Sequence, residues 1–150
     1  MTKANQPPAS QRAVGQTRSA GFQVGARRAM PIDTAGAWRL LTSGEGVRLW
    51  LGDAPDVRFE PGATYALADG TRGEVRVCRP GGHLRLTWQP PGWARPSTIQ
   101  IRVIAGGPGA TIAFHQEWLP GAPEREQRRQ HYQAVLAELE RRTRQTSEGD

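Results

Sequence analysis

The sequence predicts an α+β domain in which a curved antiparallel sheet of about six to seven strands wraps a long C-terminal α-helix, with two short helices after the first strand. Three observations predict it. Near the C-terminus, Tyr132, Val135, Leu136 and Leu139 recur at i, i+3, i+4 and i+7, one face of a helix. From residue 57 to 118 the apolar period is 2, interrupted by Pro- and Gly-containing turns. Ahead of that stretch, residues 33–51 carry a period near 3.6 with capping residues at Asp33 and Ser43.

Taken in order, residues 1–20 lack apolar periodicity and read as a disordered tail, with the domain over 21–142 and a second disordered tail over 143–150. The first strand covers 22–30, with Phe22, Val24 and Ala26 on one face, and Pro31 ends it. Asp33 then caps a helix to about residue 42 that presents Trp38, Leu41 and Ala37 or Leu40 inward. Ser43 caps a second short helix with Val47, Trp50 and Leu51 as its apolar side, stopped at Gly52-Asp53.

Short strands follow over 57–60 and 64–68, separated by Pro61-Gly62, and Asp69-Gly70 signals a hairpin. The strand at 72–79 alternates Val75 and Val77 against Glu74, Arg76 and Cys78. The next, 83–89, sets Leu84, Leu86 and Trp88 on the inner face. After a Pro-rich loop, 98–104 presents Ile99, Ile101 and Val103, and 110–118 presents Ile112, Phe114 and Trp118 with Gln116 among them. A sheet apolar on one face needs a cover, and the helix over 123–142 supplies it. Pro123 suits its first position, while Glu124 and Glu126 at one end and Arg141 and Arg142 at the other complement the helix dipole.

The formal charge is +6, but it is dispersed: Lys3, Arg12 and Arg18 lie in the N-terminal tail, and residues 21–122 carry 11 Arg against 8 acids. No basic stripe with interleaved aromatics occurs, so nucleic acid is not the expected partner. Lys3 is the only lysine, and the abundance of Arg, Ala, Gly and Pro fits a GC-rich coding sequence. Without a run of about 18 apolar residues or a hydrophobic signal core, the chain is expected to be soluble and cytoplasmic, with no membrane partner. Cys78 stands alone, which excludes an internal disulfide and any Cys-based metal site.

The element order, with Pro31-Ile32-Asp33, Ala37-Trp38-Arg39-Leu40-Leu41-Thr42, Leu49-Trp50-Leu51, Gly73-Glu74-Val75, Leu84-Arg85-Leu86-Thr87-Trp88 and Phe114-His115-Gln116, resembles the START-like superfamily of helix-grip (SRPBCC) domains. Within it, the chain resembles the branch named after the C-terminal domain of the ninety-kilodalton heat-shock-protein ATPase activator. The resemblance covers about residues 22–142 and implies the same sheet and helix. Two departures stand out. His131-Tyr132 occupies the place of a Gly-Trp pair common in the branch, and Gln116 stands where the branch often has a histidine. Any role of that histidine does not carry over.

His83, His115 and His131 are the only histidines, none has a neighbour at metal-ligand spacing, and no G-x-S-x-G elbow exists. No metal, cofactor or catalytic residue is therefore expected. The candidate ligand-binding residues are Trp88, Trp93, Phe114, Gln116, Trp118 and Tyr132. Gln116 is a polar group on an apolar face, satisfied either by protein backbone or by a bound molecule. Trp93 sits in a loop stiffened by Pro90, Pro91 and Pro96, where it either lids a pocket or shields the core.

The resemblance implies first a non-catalytic domain that binds a small, largely apolar molecule between sheet and helix. The alternative is a protein-interaction or chaperone-activator module, as a homodimer or with another protein, and an enzyme of the cyclase or dehydratase kind ranks last.

Overall fold

A computed structural model describes residues 15–17, 21–53 and 57–149, with side chains for 15–16, 21–53 and 57–145. The elements are β1 (Gln16–Thr17), β2 (Gly21–Met30), α1 (Thr34–Thr42), α2 (Gly44–Trp50), β3 (Thr64–Ala66), β4 (Arg72–Arg79), β5 (His83–Trp88), β6 (Ser97–Gly106), β7 (Gly109–Leu119) and α3 (Ala122–Gly149). All strands join one antiparallel sheet in the order β1-β2-β7-β6-β5-β4-β3. The strands from β3 onward form a meander, and β2 returns the start of the chain to the side of β7.

Both short helices begin where their caps predict. The Asp33 carboxylate accepts from the Gly36 N–H at 2.8 Å, and the Ser43 hydroxyl accepts from the Gly46 N–H at 3.0 Å. Trp50, at the end of α2, is completely buried, and its Nε1–H donates to the Leu41 carbonyl at 2.8 Å. α3 lies against β2, β7 and α2. Its buried face carries Tyr132, Val135, Leu136, Leu139 and Thr143. Opposite it stand Val75, Leu84, Leu86, Ile99, Ile101, Ile112 and Phe114, each 0–1% exposed. Side chains of this size each contribute roughly 1.5–3 kcal/mol when withdrawn from water, so this shared face holds the helix on the sheet.

The structure departs from the sequence reading in five places. Residues 57–59 form no strand: Phe59 instead stacks on Trp50 at 6.1 Å, an irregular segment laid on the core. In β4, Val75 pairs with Leu86 and Val77 with Arg85, leaving Arg76 as a bulge. Beyond it the phase is reversed, so Cys78 opposes the buried Leu84 and packs against the core while Val77 shares the outer face of Arg85.

A second bulge re-phases β7. Val24 pairs with Gln116 and Phe22 with Leu119, so Gln23 alone faces Glu117 and Trp118. Leu119 is buried at 3% exposure, while Trp118, expected on the inner face, is only half-buried and has φ 63°.

The two tails also differ. Gln16–Thr17 pair with Phe22 and Gly21 within the segment read as disordered, and the rest of that segment lies outside the described residues. At the other end α3 continues to Gly149. Thr143 is buried against the domain and Arg144 pairs with Glu140 one turn back at 2.8 Å, which extends the helix past residue 142.

Candidate functional site

The site is built on Gln116, whose side chain is fully buried. Its Nε2 donates to the Ser97 hydroxyl at 2.8 Å, and that hydroxyl donates to the Trp88 carbonyl at 2.6 Å. Its Oε1 accepts from the Tyr132 hydroxyl at 2.7 Å and from Arg128 Nε at 2.8 Å. Arg128 Nη2 also donates to the Tyr132 oxygen at 3.1 Å. A continuous relay thus runs from a guanidinium through a phenol, an amide and a hydroxyl to a main-chain carbonyl. Every buried polar atom named in it has a partner, which is the condition for tolerating it in an apolar interior.

Aromatic rings surround the relay. Tyr132 stacks on Phe114 with centroids 4.8 Å apart. The Arg128 guanidinium carbon lies 4.0 Å from the Trp88 ring centre and 4.9 Å from that of Tyr132, within cation–π range. Trp93 meets Trp88 edge-on at 5.4 Å, and its loop is tied down by Gln89 Nε2 donating to the Trp93 carbonyl at 2.8 Å. Trp88 Nε1–H is buried without a hydrogen-bond partner among the described residues.

The sequence profile described as activator of Hsp90 ATPase homolog 1-like protein matches residues 33–143. The chain belongs to that family. No match was found among curated proteins. Solved structures agree on the fold. A protein of Mesorhizobium loti is 19% identical with TM-score 0.67, over 79% of this chain and 94% of that one. The Aha1 dimer from Colwellia psychrerythraea is 15% identical with TM-score 0.64, over 79% and 92%. An Hsp90 activator from Plasmodium falciparum is 17% identical with TM-score 0.57, over 68% and 76%.

In this member of the activator-homolog family, Trp88, Trp93, Phe114, Gln116 and Tyr132 converge, whereas Trp118 stands at the β7 bulge. There the Arg95 guanidinium carbon lies 3.8 Å from its ring centre. Two residues of the relay escaped the sequence reading. Arg128 lies four residues before Tyr132 and eight before Leu136, so helical spacing alone puts it on the buried stripe. Ser97 continues the inward parity of Ile99, Ile101 and Val103 one step earlier than the strand was expected to begin.

The electrostatics favour holding over proton transfer. Burial raises the Tyr132 hydroxyl above its ordinary value, with the Arg128 charge pulling it back, so it stays neutral. Burial and then the Arg128 charge depress His131 from 6.5 to about 4, against its hydrogen bond to the Trp50 carbonyl at 3.0 Å. His131 is therefore a neutral donor. Because its folded value lies below the unfolded one, its contribution is complete above about pH 6.5 and is lost as pH falls toward about 4. We expect stability to decline in that window by on the order of 1–3 kcal/mol, and the His131→Gln variant to flatten the decline, in urea titrations at stepped pH. Glu126 and Glu138, held near 2 by Arg129 and by Arg141 with Arg142, lose their contribution only below their ordinary 4.5.

Among the described residues no cluster of His, Cys, Asp or Glu is placed to hold a metal ion, and no helix is long and apolar enough to cross a membrane. The largest surface cavity described, about 790 Å³, lies elsewhere, between the start of α1 and the end of α3. Its charges are largely mutual, Arg142 pairing with Glu45 and Glu138, and Arg141 with Glu138.

Proposed function

We propose that this family member is a cytoplasmic, non-catalytic domain that binds a small, largely apolar molecule between sheet and α3, at the Trp88–Trp93 end, through one acidic group on Arg128. The observation that carries the reading is the Arg128 guanidinium itself. It is half-buried against Trp88 and Tyr132, two of its five N–H groups are committed to Tyr132 and Gln116, and among the described residues no carboxylate pairs with it. A desolvated cation without a counter-charge is costly, and an incoming carboxylate recovers that cost through charge-assisted bonds. The deep interior is filled by Trp50, Phe114 and Tyr132, which supports a ligand near the rim. The relay contains no free acid or base, which supports binding without reaction.

Native mass spectrometry of the freshly purified protein, repeated after denaturation, tests this. The expected result is a co-purified molecule released on unfolding, with occupancy reduced about tenfold or more in Arg128→Met. A clean apo mass together with no affinity for the anionic probe anilinonaphthalene sulfonate sinks the proposal.

A second reading is a protein-interaction module, either homodimeric or directed at a chaperone. It is supported by fold-level relatives, one solved as a dimer and one an Hsp90 activator. A dimer peak without bound molecule in the same spectra shifts the weight to it.

A further inference from the structure

The outer face of the sheet holds a second feature, independent of Arg128. Opposed residues there form a row from β2 to β4: Arg27, Ala113, Arg102, His83 and Arg79. The row beside it begins Gly25, His115, Gln100 and Arg85. Where the two smallest residues adjoin, the face sinks into a trough of about 490 Å³, floored by Gly25 and Ala113 and edged by Arg27, Arg102, His115 and Gln100.

Gly25 is not explained by the fold. A β-carbon there would meet only the Phe114 carbonyl oxygen at 3.6 Å and His115 Cδ2 at 3.8 Å, ordinary contacts, and its φ is not positive. Glycine in a strand costs roughly 0.5–1 kcal/mol relative to alanine, and an unforced one marks a place where something approaches the backbone closely.

The charges say what approaches. Arg27 and Arg102 are exposed, and among the described residues neither pairs with a carboxylate. They flank Ala113 across two strand spacings, about 10 Å between backbones, a gap that two arginine side chains can close from both sides. His115 and His83 already hold their Nε2 atoms on Gln23 and Gln100, at 2.9 and 3.0 Å, which orients both rings on this face. Arg85 is offset by Glu117 at 4.0 Å and Arg76 by Glu74 at 3.7 Å, which leaves Arg27 and Arg102 at the trough and Arg79 at the end of the row as the uncompensated charges of these rows.

We propose that this trough binds a small, flat dianion of the phosphomonoester class, with Arg27 and Arg102 gripping the phosphoryl oxygens and the organic body lying on Gly25 and Ala113. Guanidinium forks match phosphate geometry, and the volume suits a small molecule. An acidic protein segment would use the charges but has no need of the bare floor.

Titration of the isotope-labelled full chain with phenyl phosphate, followed by amide chemical shifts, is the test. Saturable shifts centred on Gly25, Ala113 and His115 are expected, with Arg27→Gln and Arg102→Gln each weakening binding by about tenfold. Gly25→Val keeps every charge and suits a strand, yet it fills the floor and should abolish the shifts. Unchanged binding in Gly25→Val overturns the site, as do non-saturating shifts spread equally over Arg76 and Arg79. Equal affinity for inorganic phosphate overturns the organic body, and binding of polyglutamate in place of phenyl phosphate overturns the ligand class.

Discussion

Truncating Tyr132 to alanine should destabilise the domain by about 3–5 kcal/mol, a large part of the 5–15 kcal/mol that typically separates folded from unfolded. The ring is completely buried, stacks on Phe114 at 4.8 Å, and is the largest side chain on the buried face that α3 presents to the sheet. Its removal opens a cavity and also takes one of two donors from Gln116 Oε1, leaving Arg128 as the other. Tyr132→Phe separates these effects. It keeps the stack and removes the hydroxyl, so a loss of about 1–2 kcal/mol is expected. Urea unfolding followed by circular dichroism reads both. A cost below 1 kcal/mol for the alanine variant would mean that α3 does not grip the sheet through this ring.

Gly46→Ala should be comparably damaging, for a different reason. Only Ser43 separates α1 from α2, so the first turn of α2 presses on the last turn of α1. A β-carbon at position 46 would overlap the Leu40 carbonyl oxygen and come within 3.2 Å of the Leu41 α-carbon, both backbone atoms that cannot rotate away. Relief requires moving the helix pair, which also displaces Trp50 from its bond to the Leu41 carbonyl. A loss of at least about 3 kcal/mol is expected. The matched control is Gly44→Ala in the same turn, whose β-carbon would meet nothing nearer than the Arg48 guanidinium at 3.7 Å. Alanine's better helix propensity makes that change neutral or stabilising by up to about 1 kcal/mol. Similar melting points for the two variants would refute the close approach.

Much of the site was legible before the fold was known. Gln116 stood out as a polar residue among Ile112 and Phe114, and Tyr132 as the large member of the helix stripe. Arg128 was legible in principle, since it shares that stripe at i−4. Its charge disguised it, because arginine is seldom buried unless paired. Ser97 was hidden by a strand boundary placed one residue late. That Arg128 bonds to Gln116 has no local signature at all, because the two residues belong to different elements whose meeting is decided by how α3 lies on β7.

What the sequence determined by itself was each segment's own geometry. Alternation specified which face of β5 and β6 is apolar, Asp33 and Ser43 started their helices, and the spacing of Tyr132, Val135, Leu136 and Leu139 specified the face that α3 buries. Such features depend on residues within one or two turns of each other, and so they are written locally. Only the tertiary structure decided the phase of β4 and β7. The bulges at Arg76 and at Glu117-Trp118 turn Cys78 and Leu119 inward and leave Trp118 at the rim beneath Arg95. A bulge trades a ladder bond and local regularity for better packing on the far side, and that balance depends on the neighbouring strand and the helix above it. The two rows of the outer face, and hence the trough between Arg27 and Arg102, follow from the same inter-strand register.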